Sequence, residues 1–300
     1  MKKILITGGC GFIGSHLAEK LASKNYKVTV FDRYNIDNDF GYLENSKLKN
    51  NIEIKLGDIR DYDSVLDVIS GHDTVFHLAA LIGIPYSYVS PMGYIKTNVE
   101  GTYNVLEASR KKGIKQVVIT STSETYGSAQ YVPIDENHPK VGQSPYAATK
   151  ILADQLAISY SRSFNLPVKI ARPFNSYGPR QSARAIIPTI ISQILNNNKF
   201  LELGNLSPTR DLTFVDDTCS GLIAIANSKK LFGEEINIGS NSEISIYDLI
   251  TKIKKILGSK IPIKIKKIKK RPKFSEVDRL FCDNKKIKKS TNWRPKVSLD

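Results

Sequence analysis

Lys3-Ile4-Leu5-Ile6-Thr7-Gly8-Gly9-Cys10-Gly11-Phe12-Ile13-Gly14 stands at the start of the chain and decides its fold. Residues 3–7 read as a short buried strand, residues 8–14 as a turn, and residues 15–25 carry helical periodicity. Gly8, Gly11 and Gly14 are spaced GxxGxxG between that strand and that helix. The first two glycines allow a tight turn and close backbone approach to a pyrophosphate. The third lets the helix pack against the sheet with its N-terminus facing the phosphates. The next strand, residues 28–31, ends at Asp32, where an acidic residue can accept both ribose hydroxyls of NAD and repel a 2′-phosphate. Arg33 beside it would welcome that phosphate, so the pair favours NAD and leaves NADP open. Asp58, in Gly57-Asp58-Ile59, is a candidate partner for the adenine or a loop carboxylate.

Further strand-like runs lie at 52–54, 74–78, 117–120 and 168–171, with helical patterns between them, notably at 98–112 and 146–164. Strands alternating with helices imply an α/β protein whose parallel sheet is covered on both faces. The right-handed crossover rule then makes it a doubly wound, Rossmann-type sheet. After residue 172 Pro and Gly become frequent, and helical runs follow at 186–196 and 245–257. Residues 261–266 alternate at period two and suggest an edge strand guarded by Pro and Lys. Residues 1–171 are thus expected to form the dinucleotide-binding domain. Residues 172–300 form mainly a smaller substrate-binding lobe, with some elements returning to the sheet.

Three hundred residues with 41% hydrophobic content suffice for a real core. No apolar run reaches the ~18 residues of a membrane span, and Ile4-Leu5-Ile6 is too short for a secretory h-region. The three cysteines, Cys10, Cys219 and Cys282, are odd in number and have no metal-ligand spacing, so reduced thiols, a cytoplasmic location and no metal site are expected. The net charge of +15 is concentrated at one end: residues 251–300 hold 18 Lys and Arg against 4 Asp and Glu, and the rest is nearly neutral. A solvated Lys-rich surface accounts for this. The lysines are not interleaved with aromatics, which argues against single-strand nucleic-acid binding.

The chemistry is concentrated in Ser121-Thr122-Ser123-Glu124-Thr125-Tyr126-Gly127 and Tyr146-Ala147-Ala148-Thr149-Lys150. Of fourteen tyrosines only Tyr146 has a Lys four residues later, a spacing that puts both on one helix face. The ammonium is expected to favour the phenolate and lower the phenol pKa. Tyr and Lys alone suggest hydride chemistry at a carbinol. Glu124 adds a base for the carbon beside the resulting ketone, whose proton is acidic because it lies α to the carbonyl.

With these motifs the chain resembles the extended short-chain dehydrogenase/reductase superfamily, in its NAD-dependent, nucleotide-sugar epimerase/dehydratase branch. The resemblance spans essentially the whole chain, through residues 7–14, His77-Leu78-Ala79-Ala80, Thr97-Asn98, Tyr146 with Lys150, Arg172-Pro173-Phe174-Asn175 and Arg210-Asp211. It implies that Thr122 and Tyr146 bind the sugar C4 hydroxyl and that Lys150 holds the nicotinamide ribose. It extends the cofactor site to Phe12, Ile13, Ile59, Leu78, Ala79, Ala80 and Asn98. Asn175, Arg210 and Arg279 are implied to grip the substrate diphosphate, with Arg180 and the loop of Pro85, Tyr86, Ser87 and Tyr88 beside the substrate. A homodimer paired through the helices near 98–112 and 146–163 is implied in the same way.

Within that branch, Thr122-Ser123-Glu124 is the form seen in the GDP-mannose type of 4,6-dehydratase. The stretches 77–89, 121–136 and 180–184 look most like dehydratases of bacterial nonulosonic (legionaminic-type) pathways, which act on nucleotide-linked N-acetylglucosamine. Ser123 stands where other dehydratases have Asp; because Ser is a poor acid, Glu124 is expected to relay its own proton to the C6 hydroxyl. Uronate decarboxylases also carry a Ser-Glu pair here. The expected activity is therefore a 4,6-dehydratase on UDP- or GDP-N-acetylglucosamine. A 4-epimerase, which needs no Glu124, is the alternative, and a dinucleotide-sensing binding protein is a remote one. His77, Tyr177 and Trp293 read as packing residues, with Tyr177 also able to stack on a base. The sequence ends at Asp300, where relatives in the superfamily usually continue into another helix.

Overall fold

A computed structural model describes residues 2–266 and 271–300. The first half alternates strand and helix: β1 (Lys3–Thr7), α1 (Phe12–Ala22), β2 (Lys27–Arg33), β3 (Ile52–Gly57), α2 (Tyr62–Ile69) and β4 (Thr74–His77). There follow α3 (Ile84–Val89), α4 (Pro91–Tyr94), a π-helical turn (Ile95–Glu100), α5 (Gly101–Lys111), β5 (Gln116–Thr120), α6 (Pro145–Phe164) and β6 (Val168–Pro173). The second half holds β7 (Asn175–Tyr177), α7 (Ile186–Leu195), β8 (Leu201–Leu203), β9 (Thr209–Phe214), α8 (Val215–Asn227) and β10 (Glu235–Ile238). It ends with β11 (Glu243–Ser245), α9 (Ile246–Ile256), β12 (Ile263–Ile265) and α10 (Lys285–Thr291).

Seven strands form one parallel sheet in the order β10-β6-β5-β4-β1-β2-β3. The order reverses between β1 and β4, the switch point at which doubly wound sheets bind ligands. Val and Ile fill the strands because both faces are covered. One face packs on α1, α8 and α10, with Trp293 buried there and its Nε1 donating to Ser220 Oγ at 2.8 Å. The other packs on α2, α5 and α6. A separate cluster of α7, α9 and the small strands β8, β9 and β12 forms the core of the C-terminal lobe. β12 pairs in parallel with β8 in a two-stranded sheet, the strand expected at 261–266. Residues 267–270 of the Lys-rich run lie outside the described residues. No described helix is long and apolar enough to cross a membrane.

Three local expectations are corrected. The first helix begins at Phe12, because Gly11 serves as its N-cap and leaves Gly14 and Ser15 inside. The helix expected over 98–112 is α-helical only from Gly101, after the π turn that ends at Glu100; such turns recur at functional sites. Residues 85–88 are not a loop but part of α3: Pro85 sits in its first turn, where the missing N–H costs nothing, and Ser87 Oγ donates to Ile84 O at 2.7 Å.

Where β6 ends, the Arg172 side chain is completely buried. It donates to Asp154 of α6 at 2.8 Å and to the Tyr126 hydroxyl at 2.7 Å, and pairs with Glu235 of β10 at 3.0 Å. Ser121 Oγ also donates to Asp154 at 2.6 Å, and Tyr126 in turn donates to Asn237 at 2.8 Å. Removing one partner of such a group strands the others in a dry interior. Arg172→Met is therefore expected to cost about 3–5 kcal/mol in urea unfolding; a loss below ~1 kcal/mol would show that the cluster is no better than a surface pair.

Candidate active site

The glycine loop has room only for glycine at two of its three positions. Gly8 adopts φ +72°, and a Cβ there would lie 2.6 Å from the Ala79 amide nitrogen. A Cβ on Gly14 would lie 2.1 Å from Gly8 O. The turn, the exit of β4 and the start of α1 thus meet backbone to backbone. Gly11 is open, with only Gly8 O at 3.4 Å, so the N-terminus of α1 is a cradle that a side chain would obstruct. Asp32 is fixed at the end of β2 by accepting from the amides of Cys10 and Arg33, both at 2.7 Å, while Arg33 is exposed. This arrangement suits a pyrophosphate at the helix end with a ribose on the carboxylate.

Around the cradle, Leu78 N donates to Thr7 O at 3.0 Å and Ala79 N to Thr7 Oγ1 at 3.3 Å. Asn98 clamps the chain beyond Ala80. It accepts from Leu81 N at 2.8 Å and donates to Leu81 O at 3.0 Å and to Thr149 of α6 at 3.1 Å. Asn104 holds Ile59 O at 2.9 Å. Asp58 accepts from the Arg60 guanidinium at 2.9 Å, which holds its carboxyl below the usual range. Both residues line a cleft of about 370 Å³ with Asp61, Lys96 and Glu100. His77 lies at the strand end between Thr7 at 2.7 Å and Thr102 at 3.1 Å. Burial pushes its pKa down to about 3.

Thr122, extended at the end of β5, caps a 3-10 turn over Ser123–Tyr126, its hydroxyl accepting from Glu124 N at 3.3 Å. Gly127 closes the turn with φ +65°. Ser123 and Glu124 are thereby buried, with Glu124 7% exposed. Tyr146 reaches the same place from the first turn of α6, which starts sharply because Ser144 Oγ accepts from Ala147 N and Pro145 presets the helix. The Tyr146 phenol lies beside Thr122, which favours its ionised form, and its ring meets Tyr94 edge-on at 6.2 Å. Thr122, Ser123, Glu124, Tyr146 and Lys150 thus converge at the C-terminal end of β5.

The electrostatics differ from the expectation of an acidified phenol. Burial pushes the Tyr146 phenol above its usual value, against the influence of Thr122. Lys150 is buried too, and desolvation lowers its pKa while Asp154 opposes that shift. Its ammonium donates to Thr120 O at 2.7 Å. The lysine's charge is therefore spent on a strand-end carbonyl, and desolvation governs the phenol.

On the lobe side, Arg210 of β9 is buried and donates to Thr209 O at 2.8 Å. Asn175 Oδ1 is buried with no protein partner. Arg279 is held by Glu243, its Nε donating at 3.0 Å, and Arg180 by Glu19 at 2.8 Å and Ser15 at 3.1 Å on α1. Within α3, Ser87 is turned inward, Pro85 and Tyr86 are exposed, and the Tyr86 ring lies 6.2 Å from Tyr94. Tyr177 packs edge-on against Phe214 and donates to Ser298 O at 3.2 Å. The sequence reading missed Arg271, whose Nη1 lies 3.5 Å from Glu124 Oε2. Its signal was an Arg beside a run of lysines, since the planar guanidinium suits carboxylates and phosphates. Among the described residues no cluster of His, Cys, Asp and Glu could hold a metal ion.

A family profile described as GDP-mannose 4,6 dehydratase matches residues 5–300. The chain belongs to this family. It is a member of the epimerase/dehydratase group of extended short-chain dehydrogenases/reductases. It is 36% identical to a UDP-N-acetyl-alpha-D-glucosaminuronate decarboxylase of Bacillus cytotoxicus, over 100% of this chain and 94% of that one. The crystal structure of DesIV, a dTDP-glucose 4,6-dehydratase from Streptomyces venezuelae with NAD bound, matches with TM-score 0.91 at 30% identity, over 99% and 93% of the two chains. A UDP-glucuronic acid 4-epimerase from Bacillus cereus, in complex with UDP-glucuronic acid and NAD, matches with TM-score 0.90 at 31% identity, over 99% and 95%.

His77 gives a test of this geometry by pH. Its folded pKa of about 3 lies below the unfolded value of about 6.5, so the unfolded chain binds the extra proton and stability falls as pH drops below ~6.5. His77→Gln, which keeps hydrogen-bonding capacity, is expected to show a smaller fall in Tm than the wild type between pH 7 and pH 5. An equal fall in both would contradict the buried neutral imidazole.

Proposed function

We propose that this protein is an NAD-dependent nucleotide-sugar 4,6-dehydratase that converts UDP- or GDP-linked N-acetylglucosamine to its 4-keto-6-deoxy derivative. The observation that carries this is Glu124: a carboxylate buried on a tight turn, beside the Thr122–Tyr146 pair. When bound on Gly8, Gly11 and Gly14 with a ribose on Asp32, NAD supplies a reversible store for one hydride. The resemblance of the 77–89 and 121–136 stretches to legionaminic-type dehydratases supports the amino-sugar substrate.

Thr122 holds the C4 hydroxyl and Tyr146 takes its proton as C4 becomes a ketone. The raised phenol pKa makes this step faster as pH rises. Glu124 then takes the C5 proton, which is acidic because it lies α to the carbonyl. The C6 hydroxyl is β to that ketone and leaves as water with the proton that Glu124 took, passed on directly or through Ser123. C6 gains the hydride that C4 gave up on oxidation, and C5 regains a proton that balances the one held by Tyr146. Arg210 and Arg271, with Asn175, are the groups best set to hold the diphosphate. Arg271 meets Glu124 through one long contact, whereas Arg279 and Arg180 would have to leave closely paired carboxylates. A homodimer through α5 and α6, where Tyr103 and Leu152 are about half exposed, is part of the same proposal.

Incubation with NAD and UDP- or GDP-N-acetylglucosamine, followed by mass spectrometry, is expected to give a product lighter by one water. Glu124→Gln should lower that turnover about 10²–10⁴-fold while some 4-keto sugar still forms. The Bacillus cereus likeness favours a second reading, 4-epimerisation. It predicts unchanged mass, inversion at C4 by NMR and indifference to Glu124→Gln. Loss of carbon dioxide from a UDP-linked uronate would instead match the Bacillus cytotoxicus relative and overturn both.

A further inference from the structure

Glu124 has a second relationship that base catalysis does not require. Its carboxylate lies 3.5 Å from Arg271, and its charge also acts on the buried Arg210 guanidinium. Arg271 in turn acts on Arg210 and lies 4.0 Å from Glu276, and Asp278 contributes from the same segment. Arg271 therefore lies between two carboxylates, those of Glu124 and Glu276. Burial works against the charge of Arg210, and Glu124 opposes that shift.

The segment that carries Arg271 is anchored independently of it. Gln143 Nε2 donates to Phe274 O at 3.1 Å and to Glu276 O at 3.2 Å. Ser128 Oγ accepts from Asp278 N at 2.9 Å, and the Tyr88 hydroxyl bonds Ser275. The Arg271 side chain is 25% exposed, so it can change partner while its backbone stays in place. The contact with Glu124 is long, and only one guanidinium nitrogen makes it. A diphosphate, with more charge and more acceptor oxygens, can make shorter and bidentate contacts with the same cations.

Building on the nucleotide-sugar reading above, we infer that Glu124 is an internal anion that occupies Arg271 until the substrate diphosphate takes it. Seating of the diphosphate frees the base, so Glu124 is released to the sugar only when a substrate is in place. Arg271 is then a positioning residue as well as a phosphate ligand.

The test is a double-mutant cycle read by calorimetric binding of UDP, of GDP and of inorganic pyrophosphate to the full chain, with no turnover needed. Glu124→Gln is expected to tighten diphosphate binding about fivefold or more, a gain that a damaged site would not produce. Arg271→Gln should weaken binding, Arg271→Lys should weaken it less, and in the Arg271→Gln background Glu124→Gln should gain less than about twofold. Unchanged or weaker binding by Glu124→Gln overturns the inference and leaves the dehydratase reading intact. An equal gain in both backgrounds also overturns it, because the effect then comes from general field and not from Arg271. If none of the three probes binds the wild type, the nucleotide-sugar reading falls and this inference with it.

Discussion

The buried Arg172 guanidinium is the constraint around which the site is built. A charge with no access to water must be matched by partners in fixed positions, and here the partners come from the segments that carry the chemistry. Asp154 lies one helical turn beyond Lys150, Ser121 immediately precedes Thr122, and Tyr126 ends the turn that presents Glu124. Glu235 adds β10, an edge strand from the second half of the chain. Satisfying one guanidinium thus sets the end of β5, the register of α6 and the 3-10 turn relative to one another. The cost of burial is offset by a hydrogen-bonded cluster, and the return is rigidity where reacting groups must be held.

The same dryness shapes the proton chemistry. Tyr146 and Lys150 sit where desolvation outweighs their mutual influence, so the phenol is harder to ionise than their spacing alone suggests. Asp154, whose second oxygen has no partner, opposes the lowering of the lysine's pKa by desolvation. Arg271 meets the Glu124 carboxylate at 3.5 Å, which links the proposed base to a group proposed to receive a diphosphate.

Much of this was legible in the sequence. The GxxGxxG spacing, the strand–helix alternation and Asp32 gave the doubly wound sheet and its ligand end, because glycine tolerance and periodicity are local properties. Tyr146 and Lys150 were legible for the same reason, since a Tyr with a Lys four residues on can be read within one helix, whereas Thr122 came from the family resemblance and Glu124 from the chemistry of a carboxylate beside a ketone. The exceptions are instructive. Residues 85–88 turned helical because Pro85 favours a first turn as readily as a loop, and burial of Ile84 and Ser87 tips the balance. The π turn before Gly101 depends on Asn98 reaching both Leu81 and Thr149, contacts 17 and 51 residues apart in sequence.

By itself, then, the sequence determined the layer architecture and the dinucleotide cradle, which follow from short-range stereochemistry, and it singled out the residues proposed to react. Only the tertiary structure decided which charges meet. It took Arg279 to Glu243 and Arg180 to Glu19, brought Arg271 across 147 residues to Glu124, and closed Arg172 inside four segments. Ion pairing and desolvation depend on distances through space and on exclusion of water, and neither is fixed until the lobe has folded over the end of the sheet.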